Sequence, residues 1–180
     1  MESEQQVIEL LRAARHDWLN QLQLIKAGLA LKNIERAEQI IDEIIIKAKN
    51  EAHLSNLNIP RTAAYLLTFN WSSHALHLDI EVMDAESDLS GYDKALYDLA
   101  KAVLDLFEQC IGGECHNEMV LLLETDPAIQ VTFDFVGNLT VSNKLREAIT
   151  ETGGYQSFRL VKEYITEKEA VIKYRYKGES

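Results

Sequence analysis

Cysteine and proline are scarce in this sequence, and long apolar segments are missing. The two cysteines, Cys110 and Cys115, are too few for a disulfide framework, and we interpret them as reduced thiols, with Cys110 in the core. No unbroken apolar run is longer than residues 119–123, far short of the roughly 20 residues that cross a bilayer. The N-terminus also lacks a basic segment followed by an apolar one, so we expect a cytoplasmic globular protein that does not bind a membrane.

Basic residues are also in short supply, because 18 Lys and Arg face 29 Asp and Glu, for a net charge of −11. Nucleic-acid binding needs a concentration of cations that displaces counterions from the phosphate backbone, and no basic patch stands out in the sequence. We therefore exclude nucleic acid as a partner. The charge is uneven, since residues 1–32 hold equal numbers of acidic and basic side chains and residues 33–180 carry the whole deficit.

Apolar residues recur at helical spacing through the first fifty residues. The first apolar stripe consists of Val7, Leu11, Ala14, Trp18, Leu22, Ile25 and Leu29. The second apolar stripe consists of Ile34, Ala37, Ile41, Ile44 and Ala48, widened by Ile40 and Ile45. Two such helices, joined near Lys32 and Asn33, predict a helical hairpin. A hairpin of this size leaves much of the second stripe in water, which indicates either a second copy in a four-helix bundle or packing against the C-terminal half.

Residues 55–60 are the expected linker, because Pro60 disfavours helix at Ile59 and the Asn and Ser residues suit a connection. The predicted domains are therefore 1–57 and 58–180. In the second domain the pattern predicts helices at 62–77, 92–111 and 144–152, and strands at 78–83, 118–125, 129–136, 158–165 and 170–176. The predicted class is α+β, a helical hairpin followed by an α/β domain.

His16 is the residue of greatest chemical interest. Because an α-helix turns by about 100° per residue, His16 lies about 160° around the helix from the mean direction of the first stripe. It must therefore face solvent. A neutral imidazole is a good nucleophile and can carry a phosphoryl group. Phosphoryl transfer depends mainly on positioning and charge neutralisation, so one exposed nitrogen suffices when a partner supplies the metal. The polar ridge around His16 contains Glu9, Arg12, Asn20, Gln23 and Ala27.

Two neighbours of His16 suit supporting roles. Asp17 can orient the ring or assist in removing its proton. Asn20, one helical turn later, can hydrogen-bond to the phosphoryl oxygens or to the partner.

The residues around His16 resemble a known family. Arg15-His16-Asp17, followed by Asn20, Leu22 and Ile25, is similar to the phosphoacceptor helix of sensor histidine kinases. The whole run from His16 to Lys26 resembles the sporulation initiation phosphotransferase B family of Bacillus and its relatives. Leu54-Ser55-Asn56-Leu57 and Thr68-Phe69-Asn70-Trp71 extend this resemblance, which covers most of the chain up to about Asp126.

The resemblance implies a phosphorelay step in sporulation initiation, in which His16 takes a phosphoryl group from the aspartate of one response regulator and passes it to the aspartate of another. It implies a homodimer built through a four-helix bundle, and a second domain similar to a degenerate histidine kinase ATPase domain. No cofactor is expected on this chain, and Mg²⁺ is expected from the partner regulator. The proposed supporting or docking residues are Arg15, Asp17, Asn20, Gln23 and Lys26 from the matching run, with Arg12 added from the helical face.

Loss of kinase function can be checked in the sequence. A kinase of this lineage needs an asparagine-containing helix and glycine-rich segments, but no Gly-x-Gly occurs and residues 92–111 contain no asparagine. Gly112-Gly113 and Gly153-Gly154 are interpreted as helix stops. Two alternatives stay open: an ATP-dependent sensor histidine kinase with an unusual nucleotide site, and a non-catalytic scaffold that binds a regulator.

Other candidate sites are weaker. Zinc-ligand residue types occur in and after the predicted helix over residues 62–77, but their spacing fits no familiar metal site, and we interpret the histidines as structural. These residues are His74, His77, Asp79, Glu81, Cys115 and His116. Trp18 and Trp71 are interpreted as packing residues.

Overall fold

The computed structural model describes residues 2–71, 75–83, 87–112, 116–140, 142–152 and 157–178. The chain divides into two compact units, Met1–Lys49 and Asn50–Ser180. The first is helical, and the second combines helices with one mixed sheet, as the predicted α+β class requires.

The first unit is the predicted helical hairpin. Helix α1 spans Glu2–Ala30 and helix α2 begins at Ile34 and runs to Asn56. In the turn, Lys32 has a positive φ of 57°, and the Asn33 side chain caps α2 by accepting a hydrogen bond from the Arg36 backbone N–H at 3.1 Å. Gly28 is buried, and a Cβ at this position would lie 3.3 Å from the Ala37 Cβ, so small residues allow the helices to approach closely beside the turn.

Most of the first apolar stripe stays exposed in the single chain. Val7, Leu11, Leu22 and Leu29 are among the large exposed apolar residues, although the stripe periodicity predicts a buried face. Trp18, which we expected to pack, is 56% exposed. The hairpin by itself therefore does not cover these side chains.

The predicted linker is shorter than expected, because Ser55 and Asn56 still belong to α2. The fully buried side chains of Leu54 and Leu57 fix this last turn in the core of the second unit. Asn58 then adopts a left-handed φ of 57°, and Ile59 is non-helical, as the following proline predicts.

The second unit contains a five-stranded sheet. Its helices are α3 (Pro60–Thr68), α4 (Asp93–Cys110) and α5 (Ser142–Thr152), with short 3₁₀ turns at Phe69–Trp71 and Ser90–Tyr92. Its strands are β1 (His77–Met83), β2 (Glu118–Glu124), β3 (Gln130–Val136), β4 (Phe158–Ile165) and β5 (Glu169–Tyr176). The strand order is β1-β2-β3-β5-β4, in which β1 and β2 are parallel and all other neighbours are antiparallel.

The predicted helix over residues 62–77 is wrong at its C-terminal end. Helix α3 stops at Thr68, and a 3₁₀ turn follows that ends at a half-buried Trp71. In this turn, Asn70 donates to the Leu78 carbonyl oxygen at 2.6 Å and accepts from the Leu78 N–H at 2.8 Å. The side chain of Asn70 thus holds the turn against β1, a contact that replaces helical hydrogen bonding.

The core of the second unit lies between one face of the sheet and the three helices. Alternate residues of the central strands, such as Phe133 and Ile172, are fully buried there together with Phe107 of α4. Cys110 is also fully buried, which confirms its predicted core position.

Asp93, the first residue of α4, joins α4 to α3. Its carboxylate accepts hydrogen bonds from the backbone N–H groups of Arg61 at 3.0 Å and Thr62 at 2.8 Å, and from the Thr62 hydroxyl at 2.8 Å. Burial raises the pKa of Asp93, but these hydrogen bonds outweigh it and hold the pKa below its usual value. Asp93 therefore serves as the N-terminal cap of α3 from a distant part of the chain.

Candidate functional site

The candidate site lies on the outward face of α1, where the His16 side chain is 75% exposed. Helical geometry explains this position, because His16 points almost directly away from the first apolar stripe. The imidazole is thus open to a macromolecular partner.

Both polar contacts of the His16 ring involve Nδ1. The Asn20 Nδ2 atom lies 3.1 Å from Nδ1, and the Asp17 Oδ1 atom lies 3.9 Å from it. Among the described residues these contacts leave Nε2 as the ring nitrogen that points toward solvent. Chemistry with a partner is therefore expected at Nε2.

The Asn20 amide can hold either neutral tautomer of the ring. When Nδ2 faces the ring, Nδ1 accepts and Nε2 carries the proton; after a half-turn of the amide, Oδ1 accepts from Nδ1–H and Nε2 has a free lone pair. The Asp17 carboxylate is beyond hydrogen-bonding distance, but its charge favours a proton on Nδ1. Asn20 can therefore serve either tautomer, and the preference for the one in which Nε2 is nucleophilic comes from the Asp17 charge.

The other predicted supporting residues lie farther from the ring. Arg12, Arg15, Gln23 and Lys26 are exposed on α1, and the hydrogen bond and ion pair described for the imidazole involve Asn20 and Asp17 instead. Arg12 lies one helical turn before His16, and Gln23 lies two turns after it, about 6 Å and about 10 Å along the axis. The structure therefore places Asp17 and Asn20 at the ring, and the other four residues on the surrounding surface.

Sequence reasoning overlooked Leu19. This leucine is 52% exposed and lies one turn from His16, about 60° around the helix. The available signal was an apolar residue on the otherwise polar side of α1, away from the first stripe. An exposed leucine beside a reactive side chain indicates an apolar contact with a partner.

The described residues contain no group of three or more His, Cys, Asp or Glu side chains arranged to hold a metal ion. His77 lies 3.6 Å from Asp79, and His116 lies 2.8 Å from Glu118, so each has a carboxylate beside it. His74 and Cys115 lie outside the described residues, and the interpretation of that group as structural stays a prediction. None of the described helices has the length and apolarity of a membrane span.

A cavity of about 510 Å³ lies in the second unit, between α4 and the ends of β4 and β5. Its described lining includes Lys94 and Asp98, which pair with each other, and the rings of Phe158 and Tyr176. The single lysine is already neutralised, so this lining offers little attraction for a triphosphate.

Two family models match the chain. Residues 1–57 match "Sensor_kinase_SpoOB-type, alpha-helical domain", and residues 58–177 match "Sporulation initiation phospho-transferase B, C-terminal". The chain belongs to the sporulation initiation phosphotransferase B family. The sporulation initiation phosphotransferase B of Bacillus subtilis (strain 168) is 37% identical over 170 residues, which are 93% of this chain and 88% of that protein. These matches confirm the family and the phosphotransferase class predicted from the residues around His16.

Solved structures of a blue-light activated histidine kinase from Erythrobacter litoralis EL346 also match. Its histidine kinase domain gives a TM-score of 0.39 at 7% identity, covering 66% of this chain and 58% of that chain. A second structure of the kinase gives a TM-score of 0.39 at 10% identity, and the match covers 98% of this chain and 60% of that chain. A TM-score this low is too small to support a conclusion, and the kinase-like character of the second unit stays a prediction.

Proposed function

We propose that this chain is a phosphorelay phosphotransferase of sporulation initiation that carries a phosphoryl group on His16. The phosphoryl group comes from the aspartate of one response regulator and goes to the aspartate of another. The observation that carries the proposal is the exposed His16 ring, whose Nδ1 contacts Asn20 and Asp17 while Nε2 faces solvent.

In the first step the Nε2 lone pair attacks the phosphorus of the regulator's aspartyl phosphate. The P–O bond to the carboxyl oxygen breaks, and the aspartate leaves as a carboxylate. Because Nδ1 keeps its proton, the phosphorylated ring carries a positive charge, which the Asp17 carboxylate partly neutralises from 3.9 Å. A cationic ring is a good leaving group, so the reverse attack by a second regulator's carboxylate needs no proton transfer.

The chain supplies position and charge around this nitrogen. Asn20 fixes the ring orientation, and Mg²⁺ in the regulator's acidic pocket supplies charge neutralisation for the transferring group. Arg12, Arg15 and Lys26 provide cations for an acidic partner surface, and Leu19 provides an apolar contact. We include Gln23 in this docking surface because it shares the outward face of α1.

We further propose that the hairpin forms a homodimeric four-helix bundle and that the protein acts in the cytoplasm. The exposed apolar stripe of α1 and the Ile-rich stripe of α2 support the bundle, because a second hairpin would cover both. The paired Lys94 in the cavity and the absence of Gly-x-Gly support phosphoryl entry from a regulator without ATP.

The test uses a response regulator carrying ³²P on its aspartate and the full-length dimer. Label should move to the native chain as an alkali-stable phosphohistidine and then to a second regulator, whereas His16→Gln should accept none. His53→Gln is the matched control, since His53 is another exposed helical histidine. Full labelling of His16→Gln would exclude His16 as carrier, and retained regulator binding with no labelled native chain would favour the scaffold.

A further inference from the structure

One face of the sheet has no helix packed on it among the described elements of the second unit. The three helices lie over the opposite face, where the fully buried strand residues point. Along the open face, Val120, Leu122 and Val171 are only half-buried in the centre, and charged side chains occupy both sides. This open sheet face is a surface whose apolar centre lacks a cover.

The β4–β5 side of the open sheet face concentrates positive charge. Arg159 lies directly opposite Arg175, and Lys162 lies directly opposite Lys173. Like charges in directly opposed cross-strand positions destabilise a sheet. Such an arrangement is unexpected in a chain with a net charge of −11, which has an excess of carboxylates to place there.

Other side chains of the same chain neutralise these four basic residues, the basic cluster, only in part. Lys173 pairs with Glu124 at 2.7 Å, and Arg175 donates to the neutral amide oxygen of Gln130 at 3.2 Å. Among the described residues, Arg159 and Lys162 have no carboxylate partner, and the buried Nε of Arg175 has no hydrogen-bond acceptor. The cluster therefore retains capacity for external carboxylates.

Carboxylates are present at the other side of the same face. Asp79 and Glu81 lie on β1, the opposite edge strand, and no described cation pairs with Glu81. With strands about 4.8 Å apart, β1 and β4 are separated by about 19 Å, too far for contact within one chain. One face thus carries an unmatched acid, Glu81, at one edge and unmatched bases, Arg159 and Lys162, at the other.

We propose that the open sheet face binds the same face of a second copy of this chain. A twofold axis parallel to the strands and close to β3 places each copy's β1 over the partner's β4. Following the strand registers, Glu81 then faces Lys162 of the second copy, and Val120 faces Val171. The contact pairs Glu81 with Lys162 on both sides of the axis and covers the apolar centre in one arrangement.

The charge pattern selects a second copy over a polyanion. A membrane surface or a nucleic acid is negative throughout, so the β1 edge would repel it while the β4 edge attracts it. The sheet measures about 24 Å both along and across its strands, so the area of the open sheet face is about 570 Å² per copy. This is below the roughly 800 Å² per partner of a standard interface, so the contact should be weak and salt-sensitive.

Cross-linking with a short bis-maleimide tests the geometry in full-length protein with Cys115→Ser. Chains carrying both Glu81→Cys and Lys162→Cys should give covalent dimers, as should a mixture of the two single variants. Each single variant alone should give little product, because its two cysteines lie far apart in the pair. Glu147→Cys with Lys162→Cys is the control, since Glu147 lies on α5 in the helix layer. Equal cross-linking in the control, or none in the double variant, would overturn the proposal.

Charge reversal tests the energetics. Lys162→Glu and Glu81→Lys should each lower the yield of cross-linked dimer about tenfold relative to the chain with its native charges. A mixture of both variants should restore the yield. Reporter cysteines at Val120 and Val171 serve this assay, because those positions stay opposed. Asp134 lies near the axis, where its two copies approach, so Asp134→Asn should strengthen the contact. Unchanged cross-linking in both reversals, or a mixture that fails to recover, would refute the pairing.

Discussion

The two units treat their apolar side chains in opposite ways. In the second unit, apolar residues from α3, α4, α5 and all five strands form one buried cluster. In the hairpin, buried apolar side chains are found near the turn, at Ala37 and Ile40, while large ones such as Leu11 and Trp18 face water. The comparison teaches that the second unit is stabilised by its own core, whereas the hairpin that carries His16 needs another surface.

The largest expected effect comes from the core of the second unit. Phe133→Ala removes a fully buried ring that packs edge-on against Tyr174, with 6.3 Å between the ring centroids. The substitution should lower the free energy of unfolding by about 3–5 kcal/mol. The proposed dimerisation of the hairpin should persist under native conditions. Urea denaturation measures the cost, and Val136→Ala, at an exposed strand position, is the control. A cost below about 1 kcal/mol would mean that this core tolerates a cavity unusually well.

Disrupting the hairpin should have the complementary result. Ile41→Asp places a charge in the second apolar stripe and should raise the dimer dissociation constant about 100-fold, while the unfolding of the second unit is little changed. Ile46→Asp is the matched control, because Ile46 lies about 160° from that stripe and is exposed. Sedimentation compares the two variants, and equal dimerisation by both would place the interface elsewhere.

A smaller effect is expected where α3 meets α4. Asp93→Ala leaves the Arg61 and Thr62 N–H groups without their acceptor and should cost about 2 kcal/mol. Because the pKa of Asp93 is lowered on folding, its contribution is complete above the unfolded value of about 3.9 and is lost as the pH falls through the folded value. The difference from the native chain should therefore shrink in acid. Asp98→Ala, on the exposed side of α4, should show neither effect.

Local periodicity was sufficient to predict both long helices and the positions of all five strands. It failed where contacts between distant residues decide the structure. The Asn70 side chain ends the helical region by bonding Leu78, and the burial of Leu54 and Leu57 extends α2 through the expected linker. No sequence window contains both partners of such a contact.

The same distinction applies to the candidate site. The exposure of His16 follows from helix geometry alone, so the sequence was enough to predict it. The pairing of Nδ1 with Asn20 is also local, one helical turn away, although the sequence did not indicate which ring nitrogen is engaged. The opposed basic pairs of β4 and β5 depend on strand register, and no sequence pattern indicated them.

The smallest expected effect separates positioning from docking within the hairpin. Asn20→Ala removes the side chain that contacts Nδ1, so the ring samples more orientations and the transfer rate at saturating regulator should fall about tenfold. Gln23→Ala is the comparison, because Gln23 lies on the same face without touching the ring; it should raise the regulator concentration needed for half-maximal rate and leave the saturated rate intact. Stopped-flow transfer from phosphorylated regulator measures both parameters. If Asn20→Ala changed only the concentration dependence, Asn20 would be a docking residue with no part in positioning the His16 ring.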